Sequence, residues 1–405
     1  MRFDTVIIGG GLSALVCGIE LARGGKRVAM VAKGHSSLHF SSGSFGLYNA
    51  PEPLKALAAL APEHPYSKVG VERVETLAAK ATEILNIAGV ATNGNAEANH
   101  YVLTPTGSLR QCWLSFEGVV TADSDKNLDF KSAAILYPEG FLDFYTQFVA
   151  DGLRRMGVRS SLHSFSLPEL AVRRNNPTEM RSVAVARALD KEENILALAT
   201  IISKEVGDAE VVLMPAVLGF VKGDVQSRLE KITGKRIVSV PTLPPSVEGI
   251  KAERALRKTF ENMGGVIYNG HTATEFVMEE GALLSIATAK GVTLSANEFV
   301  LATGSFIGGG LEALRSGVSE KLFGADVLAP KTTELTDRDI YAPQPFMSAG
   351  IVTDSQFKVA IGGAVVENLY GCGSILAGYN PVKEGCGAGV AMFTALKVAE
   401  NILNR

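Results

Sequence analysis

The sequence predicts an α/β fold built on a parallel β-α-β unit and interrupted by an inserted α+β second domain. Three stretches predict it. Asp4 to Gly34 reads as strand, glycine turn, helix and strand; an apolar strand ends in Ala302-Thr303-Gly304; and a glycine-rich run leads into a long C-terminal helix.

Thr5 to Ile8 is a β-branched run with the composition of a buried parallel strand. It breaks at Gly9, Gly10 and Gly11. Leu12 to about Arg23 then places Leu12, Leu15, Val16, Ile19 and Ala22 on one helical face. Gly24-Gly25 ends the helix, and Val28 to Val31 reads as the second strand. Gly9-x-Gly11-x-x-Ala14 is thus a dinucleotide-type phosphate fingerprint in a Rossmann-like unit. Gly9 permits the turn, Gly11 lets a phosphate reach bare backbone, and Ala14 lets helix and strand pack closely. The N–H groups from Gly10 to Ser13, Leu12 included, sit at the positive helix end and can hold the anion. A dinucleotide site usually closes the second strand with Asp or Glu for the ribose hydroxyls, but Lys33 stands there. The alternatives are an NADP-like ligand, a ribose held differently, a mononucleotide such as FMN, or simply a solvated lysine.

With 405 residues, 46% of them hydrophobic, and 42 glycines, the chain suits a turn-rich enzyme of two domains. A formal charge of −3 gives no electrostatic case for nucleic acid. No apolar run approaches the ~20 residues of a spanning helix, and the first strand starts close to Met1, so a cytoplasmic protein without a signal peptide is expected. Cys17, Cys112, Cys372 and Cys386 form no C-x-x-C pair, which argues against an iron–sulfur or zinc site and for buried thiols; no metal is expected.

After the second strand come Ser41, Ser42, Gly43 and Ser44, whose hydroxyls and backbone could reach a ribityl chain or phosphate. His39 before them is a candidate acid or base, with a hydrogen-bonded structural histidine as the plain alternative. Residues 51–89 read as helical. YVLTPTGSLRQCWLS reads as a hairpin turning at Thr106-Gly107; its Arg110 is a candidate partner for an anionic substrate. Leu142 to Met156 is an amphipathic helix. Arg181 and Arg187 lie in a further helical pattern, facing a cleft or pairing with Glu192 and Glu193. Glu210 to Met214 is an apolar strand. PTLPPSV at Pro241 is a rigid crossing into a helix over Lys251 to Met263, followed by hairpins turning at Asn269-Gly270, Glu280-Gly281 and Lys290-Gly291. The strand Glu298 to Leu301 opens into Thr303 and Gly304, which can return to the first glycine turn. At the end, a strand over Leu369 to Cys372 stops at Gly373, and Gly385, Gly387, Ala388 and Gly389 open a helix over Val390 to Leu403. Bare N–H groups at that helix start favour negative charge. The expected division is 1–99, 246–310 and 366–405 for the nucleotide-binding domain, 100–245 for an inserted substrate or cap domain, and 311–365 for a segment returning through the cap.

The three glycine elements in this order resemble flavoproteins of the glutathione-reductase type, in the branch containing fumarate reductase and succinate dehydrogenase flavoprotein subunits. MRFDTVIIGGGLSAL, LHFSSGS, HPYS at His64, RNN at Arg174, DKEEN at Asp190, PTLPPSV, APQP at Ala342 and GCG around Cys386 resemble more closely the B-subunit family of the anaerobic glycerol-3-phosphate dehydrogenases. The resemblance runs through nearly the whole chain. It implies a complex that oxidises sn-glycerol 3-phosphate to dihydroxyacetone phosphate and passes electrons to quinone. FMN is implied for this subunit, with FAD the alternative. The implied partners are an FAD-binding A subunit and an iron–sulfur C subunit that meets the inner face of the cytoplasmic membrane, so this chain would touch the membrane only indirectly. Alcohol oxidation needs a base and a hydride acceptor, and the phosphate needs cations; His39, Arg110 and Arg181 are the catalytic candidates. The competing readings are a non-catalytic flavin-bearing relay or assembly subunit, and a stand-alone flavin oxidoreductase.

Overall fold

The computed structural model describes residues 1–405. Strand β1 (Arg2–Ile8), helix α1 (Leu12–Arg23) and strand β2 (Val28–Ala32) form the expected N-terminal unit, with β1 and β2 parallel. Every residue of α1 from Leu12 to Leu21 is buried, so polar side chains on this helix need internal partners. Helix α2 (Val74–Ile87) packs beside it and closes the first run of the main domain.

The inserted lobe mixes helices and strands as expected, and its central sheet is wholly parallel. Strands β3 (Ser132–Pro138), β4 (Arg159–Phe165), β5 (Val211–Pro215) and β6 (Arg236–Val240) lie in the order β4-β3-β5-β6. The chain then crosses through Pro241–Ser246 into α3 (Val247–Asn262), where the Ser246 hydroxyl accepts the Gly249 N–H and caps the helix. That cap starts α3 four residues before the apolar pattern does.

Strand β7 (Val266–Asn269) pairs parallel with β2. The meander β8 (Ala273–Glu279), β9 (Ala282–Thr288) and β10 (Thr293–Leu301) turns at Glu280-Gly281 and Lys290-Gly291, and β10 runs parallel to β1. Strand β11 (Ala364–Gly371) pairs parallel with β10, and α4 (Gly387–Leu403) covers α1. The parallel order β7-β2-β1-β10-β11 aligns Ile8 with Leu301 and Leu301 with Gly371. The residues after each strand therefore emerge at one edge of one sheet. No described helix is long and apolar enough to cross a membrane.

Two expected boundaries shift. Val102, Trp113, Phe116 and Val119, assigned to the insertion, are buried in the main core. So are Leu311, Phe323, Ile351 and Phe357, which makes 311–365 a part of the main domain's packing rather than a return through the cap. The inserted lobe's own core contains Leu103 and then runs from Val120 to Ile250.

The fit between α1 and α3 rests on Phe260, which is fully buried; a Cβ on Gly18 would come within 2.9 Å of its ring, and one on Gly265 within 2.3 Å. Phe260→Ala is expected to cost about 3–5 kcal/mol through lost burial and a cavity. Urea unfolding of the purified chain checks this, and a loss under about 1 kcal/mol would show that the helices re-pack around the gap.

Candidate flavin site

The first glycine turn leaves β1 with Gly9 at φ +137, and the Gly9 N–H donates to the Val31 carbonyl at 2.9 Å. A Cβ on Gly9 would lie 2.1 Å from the Ala302 carbonyl oxygen, so the end of β10 presses directly on this turn. Gly11 caps α1 in extended conformation with no side-chain cap, no acidic residue follows in the first turn, and nothing stands within 4 Å of where its Cβ would be. The first-turn N–H groups of α1 are thus offered outward, the arrangement that takes an anion.

The second element sits on the first. The Ala302 N–H donates to the Ile8 carbonyl at 2.8 Å, and the Thr303 hydroxyl is buried without a partner beside Gly310. Gly304, at φ +80, lies against Gly308 and Ser374. The third element joins both. The Cys372 N–H donates to the Leu301 carbonyl at 3.1 Å, Ser13 fills the space beside Gly373, and the Gly373 N–H donates to Thr394 of α4 at 3.0 Å. Leu12 and Ala14 are buried beside Ser13. Gly387 and Ala388 open α4, again with no side-chain cap and no acid in the first turn.

The serine stretch reaches the same helix start. The Gly389 N–H donates to the Gly46 carbonyl at 2.9 Å, and a Cβ on Gly46 would lie 1.9 Å from the Gly385 carbonyl oxygen. Ser41 accepts the Gly43 N–H at 3.2 Å, Ser42 accepts from Arg110 at 2.8 Å, and the Ser42 and Ser44 hydroxyls are 3.4 Å apart. Gly43, at φ +82, lies under the ring of Pro241. The Ser246 N–H donates to the His39 carbonyl, so Pro241–Ser246 is laid along His39–Gly43.

The three catalytic candidates flank this junction, with partners the sequence did not name. His39 is no free base: its Nε2 lies 2.7 Å from the carboxylate of Glu253, and its ring stacks on His35. Burial pushes the His39 pKa down, against the opposing pull of Glu253. Glu253 also accepts the Ser36 N–H and faces the Arg257 guanidinium at 2.8 Å. Arg181 pairs with buried Asp143 at 2.7 Å and donates to the Pro244 carbonyl, whereas Glu192 pairs with Arg228. Arg110 is exposed and held only by Ser42. Lys33 is exposed at the end of β2, with no ion-pair partner among the described residues. A groove of about 530 Å³ lined by Lys251, Arg254, Lys258 and Phe220 includes none of the glycine-turn residues.

A second buried carboxylate cluster lies under the α4 start. His64 accepts the Tyr66 N–H on Nδ1, so its Nε2 carries the proton and donates to Glu384 at 3.0 Å. Burial favours the neutral form of Glu384, but the His64 hydrogen bond and the Asn380 N–H outweigh it and hold its pKa below the usual value. Tyr66 donates to the Leu47 carbonyl, and its hydroxyl fills the space beside Gly389. Burial pushes the Cys386 thiol and the Tyr379 phenol far up, so both stay protonated. All four cysteines are buried and unpaired. HPYS and the Glu253–Arg257 spacing were visible in the sequence, but neither carried a signal for its partner.

The residues present fit a flavin phosphate and ring: two uncapped helix starts, open backbone at Gly11, and an unpartnered Thr303 hydroxyl meet at the strand ends where nucleotide ligands bind. A family model described as an FAD binding domain matches residues 4–390. The chain is 38% identical over 418 aligned positions to the B subunit of the anaerobic glycerol-3-phosphate dehydrogenase of Yersinia pestis, covering 100% of this chain and 99% of that protein. It is also 38% identical over 416 positions to the corresponding B subunit of Pectobacterium atrosepticum, with the same coverage. Among solved structures, a variant of E. coli quinol fumarate reductase FrdA matches 100% of this chain and 70% of its own at 10% identity and a TM-score of 0.44, too distant to carry weight. The chain belongs to the FAD-binding-domain flavoproteins and, within them, to the B-subunit family of the anaerobic glycerol-3-phosphate dehydrogenases.

Proposed function

We propose that this chain is the flavin subunit of a complex that oxidises sn-glycerol 3-phosphate to dihydroxyacetone phosphate and sends the electrons towards quinone. The observation that carries the reading is the meeting of Gly9–Gly11, Ala302–Gly304 and Gly373 with the α4 start at one sheet edge. Oxidation takes a hydride from the carbinol carbon and a proton from its hydroxyl; a bound flavin supplies the hydride acceptor. The α1 N–H groups hold the cofactor phosphate, Thr303 offers its free hydroxyl, and the α4 start places a positive dipole end where negative charge builds. Arg110, held only by Ser42, is the cation most open to the substrate phosphate, whereas Arg181 already pairs with Asp143 and would contribute only its remaining N–H groups.

FMN is the proposed cofactor, because Lys33 offers no acceptor for an adenosine ribose. The proposed partners are an FAD-binding subunit and an iron–sulfur subunit, with this chain cytoplasmic and reaching the inner face of the membrane through them. One observation favours an electron-relay role with the substrate held by a partner: His64 commits both ring nitrogens, Nδ1 to the Tyr66 N–H and Nε2 to Glu384.

Purified chain is expected to release FMN on denaturation, identified by mass spectrometry, and to lose its visible flavin absorbance when glycerol 3-phosphate is added without air. Released FAD overturns the cofactor assignment. Absorbance that stays until the partner subunits are added assigns the alcohol oxidation to them, and a chain without flavin removes the whole reading.

A further inference from the structure

Arg257 is placed against the first glycine turn by contacts on three sides, its approach to Glu253 being an ion pair without hydrogen-bond alignment. Its Nη2 lies 3.3 Å from where a Cβ on Gly10 would stand and donates to the Gly34 carbonyl at 3.3 Å. Its Nη1 donates to the Asn269 side chain at 3.4 Å, and its Nε faces Glu253 at 2.8 Å. Glu253 is in turn fixed by Ser36 and His39. The guanidinium therefore belongs to the ends of β2 and β7 and to α3 at once, and its side chain is only 16% exposed. A planar cation held this way loses little freedom when it takes up an oxyanion.

The same region is where a dinucleotide would continue beyond its phosphates, along the end of β2. Here that ground is narrowed. The Gly270 and His271 N–H groups both donate to the Ala32 carbonyl, at 2.7 and 3.2 Å, which folds the β7 turn over the strand end. A Cβ on Gly10 would lie 2.6 Å from the Ala32 side chain, so the turn and the strand end are in close contact. Arg257 stands beside the Gly34 carbonyl at the edge of this region.

The geometry points to Arg257 as the counter-ion of a phosphate monoester at the cofactor's end, and as the residue that shuts out a second nucleotide beyond it. This rests on the flavin reading above and names what selects FMN within it. A monoester carries nearly two negative charges at neutral pH, more than the α1 start alone neutralises, and a fixed guanidinium supplies the balance. His39 and Glu253 are positioning residues for Arg257.

The test titrates flavin-depleted chain with riboflavin, FMN and FAD, following the quenching of flavin fluorescence. Wild type is expected to bind FMN tighter than either of the others. Arg257→Gln, which keeps a donor for Glu253, is expected to weaken FMN about tenfold or more, leave riboflavin unchanged because it has no phosphate, and narrow the FMN–FAD gap. Arg257→Lys keeps the charge but not the fork that Gly34, Asn269 and Glu253 hold, and is expected to lose less FMN affinity than Arg257→Gln without matching wild type, with thermal melting confirming the fold of both variants. Equal weakening of riboflavin and FMN would show a purely structural arginine and overturn the inference, as would an unchanged FMN affinity. Tighter FAD than FMN binding in wild type overturns it too. A wild type that binds FMN while Arg257→Gln does nothing removes this inference alone; one that binds no flavin removes the proposed function with it.

Discussion

Gly9→Val is expected to leave the chain without flavin and to lower its stability by about 2–6 kcal/mol. Two effects add at this position. Valine is forced to φ +137, a conformation L side chains rarely adopt, and its Cβ would fall 2.1 Å from the Ala302 carbonyl oxygen. That oxygen is backbone, and the Ala302 N–H is tied to the Ile8 carbonyl, so it cannot swing aside as a side-chain tip can. Relief requires β1 and β10 to separate at their C-terminal ends, and this displaces the Gly11 turn and Thr303 together. Gly25→Ala is the matched control, since Gly25 also has positive φ, at +80, but nothing lies within 4 Å of the added atom. It is expected to show the backbone strain alone, about 1–3 kcal/mol, with flavin retained. Flavin-to-protein absorbance ratios and urea unfolding read both variants. A Gly9→Val protein that keeps its flavin would place the cofactor away from this turn.

His64→Ala is expected to cost about 2–4 kcal/mol at neutral pH, below the full value for a buried pair because Glu384 keeps some solvent access. The loss has two parts: the Tyr66 N–H loses its cap at the start of the Pro65–Val69 helix, and Glu384 loses its main hydrogen-bonded partner. The Glu384 part depends on pH with a definite sign. Its pKa is held below the ordinary 4.5, so the folded state binds fewer protons than the unfolded chain near that value. This stabilisation is complete above about pH 4.5 and is lost as pH falls through the depressed folded value. The stability gap between wild type and His64→Ala should therefore shrink on going from pH 7 to the acid side of that window. A gap of constant size would assign the effect to packing and the helix cap. Loosening Glu384 also frees the Asn380–Gly385 loop, so a weaker flavin affinity is expected in the same variant.

The β-α-β unit was legible because its signals are local: β-branched residues in Thr5–Ile8, a 3.6-residue apolar period in α1, and glycines where the backbone must turn. The same holds for the hairpin turns at Gly281 and Gly291 and for the glycines before α4. Domain boundaries were less legible, since Trp113 and Phe357 read as apolar whichever core receives them.

By itself, then, the sequence determined the order of the strands and helices, the three places where backbone lies bare, and the family to which those places point. Tertiary structure alone decided which side chains serve them. Glu253 meets Ser36 across 217 residues, and His64 meets Glu384 across 320. It gave His39 a buried carboxylate partner in Glu253 and brought forward Arg257, which no motif marks. The physical reason is range: a turn or a helix is fixed by neighbours along the chain, whereas an ion pair is fixed by whichever surfaces the packed sheet brings together.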